Sequence, residues 1–114
     1  MSDDLFLKII DRDIPADIVF EDDEILAFRD IQPQAPVHVL VIPKRHIATL
    51  NVLEDDDAGL VGRMVLTARR IAADEGLDED GYRLVFNCNE HGGQSVRHIH
   101  LHLLGGRQMQ WPPG

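Results

Sequence analysis

The segment His98-Ile-His-Leu-His-Leu-Leu104 places a histidine at every second position, with an apolar residue after each one. Successive side chains of a β-strand point to opposite faces of the sheet. The pattern therefore predicts a strand from about residue 97 to 104 whose histidines share one face and whose apolar residues share the other. The apolar face would pack on a core, and the opposite face would present His98, His100 and His102 together.

The rest of the chain supplies partners for that strand. Apolar residues at helical spacing predict one long helix from about 55 to 75, and a short helix is predicted at 5–11. Runs rich in β-branched residues predict the other strands, at 18–21, 25–28, 37–42 and 82–86. Five strands with hairpin-like neighbours predict an α+β protein with an antiparallel sheet, and the length predicts a single domain over residues 1–114.

The composition narrows the range of partners and locations. The chain has 11 Lys and Arg against 20 Asp and Glu, a net charge of −9. Such a chain is a poor candidate for generic binding to nucleic acid or to a membrane surface, where clustered basic residues supply the attraction. A single cysteine, Cys88, excludes an intramolecular disulfide and fits a reducing compartment. With no signal-peptide pattern and no long apolar run, we expect a cytoplasmic protein without nucleic-acid or membrane partners.

Three interpretations of the histidine face are open at this stage. A solvated polar face is the simplest, although such faces usually carry Thr, Lys, Glu or Ser. A metal site is the second, but His98 and His102 would lie about 13 Å apart along a strand, whereas two nitrogen ligands of one zinc lie within about 3.4 Å. Two of the three could bind a metal with His38 or Cys88. Nucleophilic and acid–base catalysis is the third, because imidazole titrates near neutral pH.

The loop before the histidines suggests what a nucleophile there would attack. Gly92-Gly-Gln-Ser95 offers closely spaced backbone N–H groups and a hydroxyl. Such groups suit an anionic phosphate oxygen. The loop is therefore predicted to cradle a phosphate beside the histidine strand.

These motifs resemble those of the histidine triad superfamily, and specifically its nucleotide-binding protein branch. The spacing His98-x-His-x-His-x-x104 is similar to the triad motif, and the similarity extends along nearly the whole chain. Further similar segments are Phe20-Glu-Asp-Asp23, Ala27-Phe-Arg-Asp-Ile31, Pro33-Gln-Ala-Pro-Val-His38, Val41-Ile-Pro-Lys-Arg-His46, Gly92-Gly-Gln-Ser95 and Leu104-Gly-Gly-Arg-Gln-Met-Gln-Trp-Pro-Pro-Gly114.

The resemblance implies a fold and an activity. The fold is HIT-like, a five-stranded antiparallel sheet with one long and one short helix, joined in a homodimer as a ten-stranded sheet. The activity is hydrolysis of the phosphorus–nitrogen bond of purine nucleoside 5′-phosphoramidates, in which AMP is joined to an amine; lysyl-adenylate is a possible natural substrate. No cofactor and no metal are implied. A nucleotide-binding scaffold protein and a dinucleoside polyphosphate hydrolase are the alternatives.

The resemblance also assigns roles to individual residues. His100 would be the nucleophile that forms a nucleotidyl-histidine intermediate, and His102 would contact the phosphate. His98 and His38 would support the network and relay a proton to the leaving amine. Asp30 would accept hydrogen bonds from the ribose hydroxyls, for which its two acceptor oxygens are suited.

The remaining implied roles fall into three groups. Apolar residues would line the base pocket, namely Phe6, Ile9, Ile14, Phe28 and Ile31. Loop residues would hold the phosphate and the leaving group, namely Asn87, Gly93, Gln94 and Ser95. In the C-terminal segment, Trp111 would reach the site of the partner subunit.

Overall fold

A computed structural model describes residues 4–114, so the first three residues of the predicted domain lie outside the described range. The described residues form one five-stranded antiparallel sheet and three α-helices. The strands are β1 (Ile18–Glu21), β2 (Ile25–Arg29), β3 (Val37–Pro43), β4 (Tyr82–Phe86) and β5 (Leu101–Gly105). The helices are α1 (Leu5–Ile10), α2 (Ala58–Asp74) and α3 (Asn89–Gly92), with 3-10 turns at Leu50–Val52 and Asp55–Asp57. The predicted α+β class and five-stranded antiparallel sheet are confirmed.

The strand order in the sheet is β1-β2-β3-β5-β4, and each neighbouring pair is antiparallel. The last strand of the chain therefore lies inside the sheet, between β3 and β4. None of the helices among residues 4–114 combines the length and the apolar character that a membrane crossing requires.

Helix α2 covers one face of the sheet with the apolar stripe that its spacing predicts. Its buried residues include Leu60, Met64, Ala68 and Ile71. They pack with the odd-numbered residues of the last strand segment, Ile99, Leu101 and Leu103. The predicted helix started at 55, but residues 55–57 form a 3-10 turn, in which the Asp57 carboxylate accepts the Glu54 backbone N–H at 2.9 Å.

The opposite face is covered by the short helix α1. Phe6 and Ile9 of α1 are buried against a second apolar cluster. The other buried members of that cluster are Leu26, Phe28, Leu40, Ile42 and Val96. A helix of six residues is too short to be stable alone in water, so its conformation depends on this packing.

The predicted start of the last strand was wrong. The sequence indicated residue 97, but β5 begins at Leu101, which pairs with both Val41 and Phe86. Beyond that point the ladder cannot continue normally along β3, because Pro43 has no N–H to donate. The Pro43 carbonyl instead accepts a hydrogen bond from the side chain of His98, at 2.7 Å. The alternation of faces persists nonetheless.

The loop predicted at 87–95 also differs from the structure, because it contains the four-residue helix α3. Gly93 ends that helix with a φ of +78°, a left-handed conformation that glycine adopts at little cost.

Candidate active site

The fold brings four histidines together on the α1 side of the sheet. His38 of β3 and His102 of β5 lie on adjacent strands, with His38 Nε2 2.9 Å from His102 Nδ1. The His100 ring lies 4.9 Å from the His102 ring, and the Phe6 ring of α1 contacts both His98 and His100 edge-on. The sequence therefore correctly placed the three even-numbered histidines on one side of the segment.

The backbone fixes which nitrogen of His100 carries the proton. His100 Nδ1 lies 2.8 Å from the carbonyl oxygen of His98. A carbonyl can only accept, so Nδ1 donates and Nε2 keeps its lone pair. Burial lowers the pKa of His100, because the charged form loses its hydration. At neutral pH the ring is therefore a neutral base with a nucleophilic Nε2.

A second backbone group fixes the tautomers of His38 and His102. The Gln34 backbone N–H donates to His38 Nδ1 at 3.0 Å, so His38 carries its proton on Nε2. That proton is donated to His102 Nδ1, which must be the acceptor. The neutral His102 ring consequently carries its own proton on Nε2.

His102 Nε2 is a buried donor that has no hydrogen-bond partner among residues 4–114. Burial, followed by the neighbouring His100 and His38, lowers the pKa of His102 to about 4, so the ring is neutral at pH 7. An unsatisfied buried donor is costly, and native proteins keep few of them. An oxygen atom of an anionic ligand beside His100 would satisfy this one.

His98 is held more deeply than the other histidines. Its Nε2–H donates to the Pro43 carbonyl, and its ring packs between those of Phe6 and His46, at 5.8 and 5.4 Å. Burial lowers its pKa to about 4. The main chain of His98 connects it to the next histidine, because its carbonyl oxygen accepts the Nδ1–H of His100.

Asp30 follows β2 and lies beside the His38–His102 pair. Its Oδ1 accepts the Gln32 backbone N–H at 2.8 Å, and its Oδ2 lies 3.5 Å from His38 Nε2. The carboxylate is partly exposed. Oδ2 therefore remains accessible to donors of a ligand, such as hydroxyl groups.

Asp30, His38 and His102 each offer a possible metal ligand within 4.8 Å of the others. The three groups lie close together, but the donor set does not suit a metal. A metal at His38 Nε2 needs the lone pair there, which would shift the ring proton to Nδ1. The Gln34 N–H already points at that nitrogen, so two donors would face each other. The arrangement therefore favours a proton, not a metal ion, between the two rings.

The residues predicted for a base pocket divide into two sets. Phe6, Ile9 and Phe28 are buried in the α1 cluster, and the Phe6 and Phe28 rings meet edge-on at 5.5 Å. Ile14 is partly buried against the same cluster. Ile31 is 92% exposed beside Asp30. The first set forms the apolar floor beneath the histidines, whereas Ile31 stands at the surface.

The predicted phosphate loop is rigidly tied to the rest of the chain by Gln94. This buried side chain accepts the Asn89 N–H at 2.9 Å and donates to the carbonyls of Ala48 and Val96, at 2.7 and 2.9 Å. Its amide is therefore occupied by the protein backbone. The structure makes Gln94 a residue that shapes the loop.

The other predicted loop residues lie around Gln94. Asn87 is partly buried, Gly93 and Ser95 are exposed, and Ser95 immediately follows the Gln94 anchor. Trp111 of the C-terminal segment is 82% exposed.

Sequence reasoning missed Gln34, which acts through its backbone N–H. No side-chain pattern indicates such a role. The only signal is the pair of prolines, Pro33 and Pro36, that restricts the loop around it.

The sequence and the fold are similar to those of known proteins that contain a HIT domain. A model of the HIT domain matches residues 11–109. The purine nucleoside phosphoramidase of Escherichia coli K12 is 55% identical over 105 residues, 92% of this chain and 88% of that protein. An uncharacterised HIT-like protein of Synechococcus elongatus is 59% identical over the full length of both. The crystal structure of a HIT family hydrolase from Legionella pneumophila superposes with a TM-score of 0.95 at 64% identity, covering 96% of this chain and 98% of that one.

Proposed function

This chain belongs to the HIT domain family, and from that premise we propose that it hydrolyses the phosphorus–nitrogen bond of purine nucleoside 5′-phosphoramidates. One observation carries the proposal. The lone pair of His100 Nε2 and the unpartnered N–H of His102 lie on adjacent rings, in a buried site. A nucleophile beside a hydrogen-bond donor is what attack on a phosphoryl group requires.

The reaction would proceed in two displacements. In the first, His100 Nε2 attacks phosphorus, the phosphorus–nitrogen bond breaks, and the amine leaves after it gains a proton. In the second, water attacks the phosphorus of the nucleotidyl-histidine, which releases a nucleoside 5′-monophosphate and restores the lone pair of Nε2. The proton lost by that water replaces the one that left with the amine.

The neighbouring groups would support both steps. His102 Nε2–H would donate to a phosphoryl oxygen, and its charge stabilisation would be greatest in a site from which water is excluded. The amine would take its proton from solvent, because the neutral His38–His102 pair could supply one only by forming an imidazolate anion, which the Asp30 carboxylate 3.5 Å from His38 would oppose. Asp30 would also accept from the ribose hydroxyls, and the base would lie against the apolar residues Phe6, Ile9, Ile14, Phe28 and Ile31. Asn87, Gly93 and Ser95 would hold the phosphate and leaving group, on a loop that Gln94 fixes.

The test is turnover of a fluorogenic adenosine 5′-phosphoramidate by the wild-type protein and by His100→Ala. We expect the variant to lose at least about a thousandfold in kcat, since removal of a covalent nucleophile costs that much or more. Its urea midpoint serves as the folding control. Intact-mass analysis of the wild type, quenched in alkaline denaturant to preserve phosphorus–nitrogen bonds, should show a nucleotidyl adduct that His100→Ala lacks.

Three results would contradict the proposal. Equal rates for wild type and His100→Ala would refute the nucleophile. Faster hydrolysis of a diadenosine polyphosphate than of the phosphoramidate would favour the dinucleoside polyphosphate hydrolase, and tight AMP binding without turnover of either would favour a scaffold protein.

We also propose that the chain forms a homodimer in which β4 of two copies pairs to give a ten-stranded sheet. Strand β4 is at the edge of the sheet, and among residues 4–114 it is paired only with β5. An unpaired edge with partly buried Tyr82, Leu84 and Phe86 favours strand addition by a second copy. The exposed Trp111 would then be available to the partner subunit's site. A monomeric mass in solution would contradict this.

We propose a cytoplasmic location because the chain has a single cysteine, Cys88, which suits a reducing compartment. The net charge of −9 supports the proposal that neither nucleic acid nor a membrane is a partner.

A further inference from the structure

The segment at the end of the histidine strand, Gly105-Gly106-Arg107, has no role in the proposed reaction. It packs on the loop that precedes β3. Arg107 Nη2 and Nε lie 3.0 and 3.3 Å from the Gln34 carbonyl oxygen, and both donate to it. Gly106 has a φ of +94°, and a Cβ atom there would lie 2.8 Å from Pro36 Cβ. This segment therefore clamps the loop at two points, one polar and one steric.

The clamped residue, Gln34, is the one whose N–H fixes the His38 tautomer. Its N–H donates to His38 Nδ1, and its side-chain amide donates to the Gln32 carbonyl at 3.0 Å. The loop is closed further on by the Asp30 N–H, which donates to the His38 carbonyl at 3.0 Å. Gln34 is thus held at its carbonyl by Arg107 and at its N–H by the ring that it orients.

We propose that Arg107 and Gly106 are positioning residues that select the reactive tautomer of His102. The order of contacts is Arg107 to the Gln34 carbonyl, the Gln34 N–H to His38 Nδ1, and His38 Nε2–H to His102 Nδ1. Every link after the guanidinium is a donor facing an acceptor, so reversal of one ring would place two donors or two lone pairs opposite each other. The clamp thereby keeps the Nε2–H of His102 facing the site.

The consequence for the reaction rests on the proposed function. In the other tautomer, His102 would present a lone pair to an anionic phosphoryl oxygen, which is repulsive. Only the molecules with the Nε2–H tautomer are competent, and the rate scales with their fraction. The tautomers themselves are a property of the free protein and require no substrate.

The experiment measures the ring nitrogens directly, by long-range proton–nitrogen correlation NMR of the free protein at pH 7. In the wild type, His38 and His102 should each show a protonated Nε2 and an unprotonated Nδ1, and His100 the reverse. In Arg107→Ala the two nitrogen shifts of His38 and of His102 should move towards each other as tautomers mix. His100 should not change, because the His98 carbonyl holds it.

Arg83→Ala is the matched control. Arg83 is a partly exposed arginine that, like the exposed Arg107, donates to a backbone carbonyl, but its acceptor is Gln110 of the C-terminal segment, at 2.9 Å, and not Gln34. Its removal should leave all four histidine tautomers unchanged. In activity assays, Arg107→Ala should lower kcat by roughly two- to tenfold, the range of a single hydrogen bond of ordinary strength. Arg107→Lys should recover part of that loss.

Two outcomes would overturn the inference. One is that the His38 and His102 shifts in Arg107→Ala match the wild type. The other is that the His100 shifts move as much as theirs, which would mean a general disturbance of the site. A wild type with the assigned tautomers but no phosphoramidate turnover would instead refute the proposed function and leave the clamp intact.

Discussion

The two faces of the sheet differ sharply, although alternate residues of one short segment supply both. On the α2 side, Ile99, Leu101 and Leu103 pack with a 17-residue helix in a cluster of apolar side chains. On the α1 side are the three histidines that alternate with them, and the six-residue helix α1 brings one aromatic ring, Phe6, against His98 and His100.

The two faces are stabilised by different kinds of interaction. The apolar face needs volume and shape, because dispersion and water exclusion have little direction. The histidine face depends instead on which ring nitrogens donate a hydrogen bond and which accept one. Two buried ring nitrogens, His98 Nδ1 and His102 Nε2, have no partner among residues 4–114. Stability and reactivity are therefore separated by strand alternation, and each face should respond to a different kind of substitution.

The largest expected effect on stability belongs to the apolar face. Leu101→Ala should lower the free energy of unfolding by about 2–5 kcal/mol, because it removes a fully buried side chain and leaves a cavity. Urea denaturation measures this. At a temperature where the variant is fully folded, kcat should stay close to that of the wild type.

Leu66→Ala is the matched control for that substitution. Leu66 lies on α2 but is 51% exposed, so its truncation should change stability by less than about 0.5 kcal/mol. A large loss of kcat in folded Leu101→Ala would show that the two faces are not separable.

The next largest expected effect is a loss of activity on the histidine face. Two substitutions of His102 distinguish the role of its Nδ1 from that of its Nε2. His102→Asn keeps an acceptor near the Nδ1 position but has no donor near Nε2, whereas His102→Gln can place an amide N–H there. We expect His102→Asn to lose about a hundredfold in kcat, the usual effect of losing one donor to a developing charge. His102→Gln should lose distinctly less. Equal losses would show that Nε2–H is not the group that acts.

A more gradual effect is the response of stability to pH. The pKa values of His98 and His102 fall from 6.5 to about 4 on folding, mainly through burial. As the pH falls below 6.5, these two histidines therefore become protonated in the unfolded chain, whereas in the folded protein they stay neutral until about pH 4. Their contribution to stability is complete above pH 6.5 and declines between pH 6.5 and 4, by about 1.4 kcal/mol per pH unit for each group at most.

Urea midpoints between pH 7 and 5 measure that slope, and two variants assign it. His98→Gln should flatten it, since the amide can still donate to the Pro43 carbonyl but does not titrate. His91→Ala, which removes an exposed histidine, should not change it. If stability falls equally steeply with pH in the wild type and in His98→Gln, then His98 does not contribute to the pH dependence.

The sequence predicts the parts of this site that depend on side-chain order. Alternation placed the histidines on one face, and the apolar stripe of α2 predicted the core on the other. The start of β5 could not be predicted, because it depends on Pro43, 55 residues earlier in the chain, lying opposite this segment without an N–H to donate, and on the His98 side chain bonding to the Pro43 carbonyl. The roles of Gln34 and of the His98 carbonyl were hidden for a related reason. Any residue carries those backbone groups, and only tertiary contacts select them.

The order of strands has a consequence for how the protein is made. Strand β5 is synthesised last of the five but lies between β3 and β4, and β4 has no other partner among the described strands. A growing chain that has released residues 4–90 from the ribosome can form the β1-β2-β3 meander, yet it leaves β4 unpaired. Insertion of β5 then completes the core with its odd residues and the reactive centre with its even ones. A growing chain that has not yet released β5 thus cannot hold the active site, because His98, His100 and His102 arrive with the segment that completes the sheet.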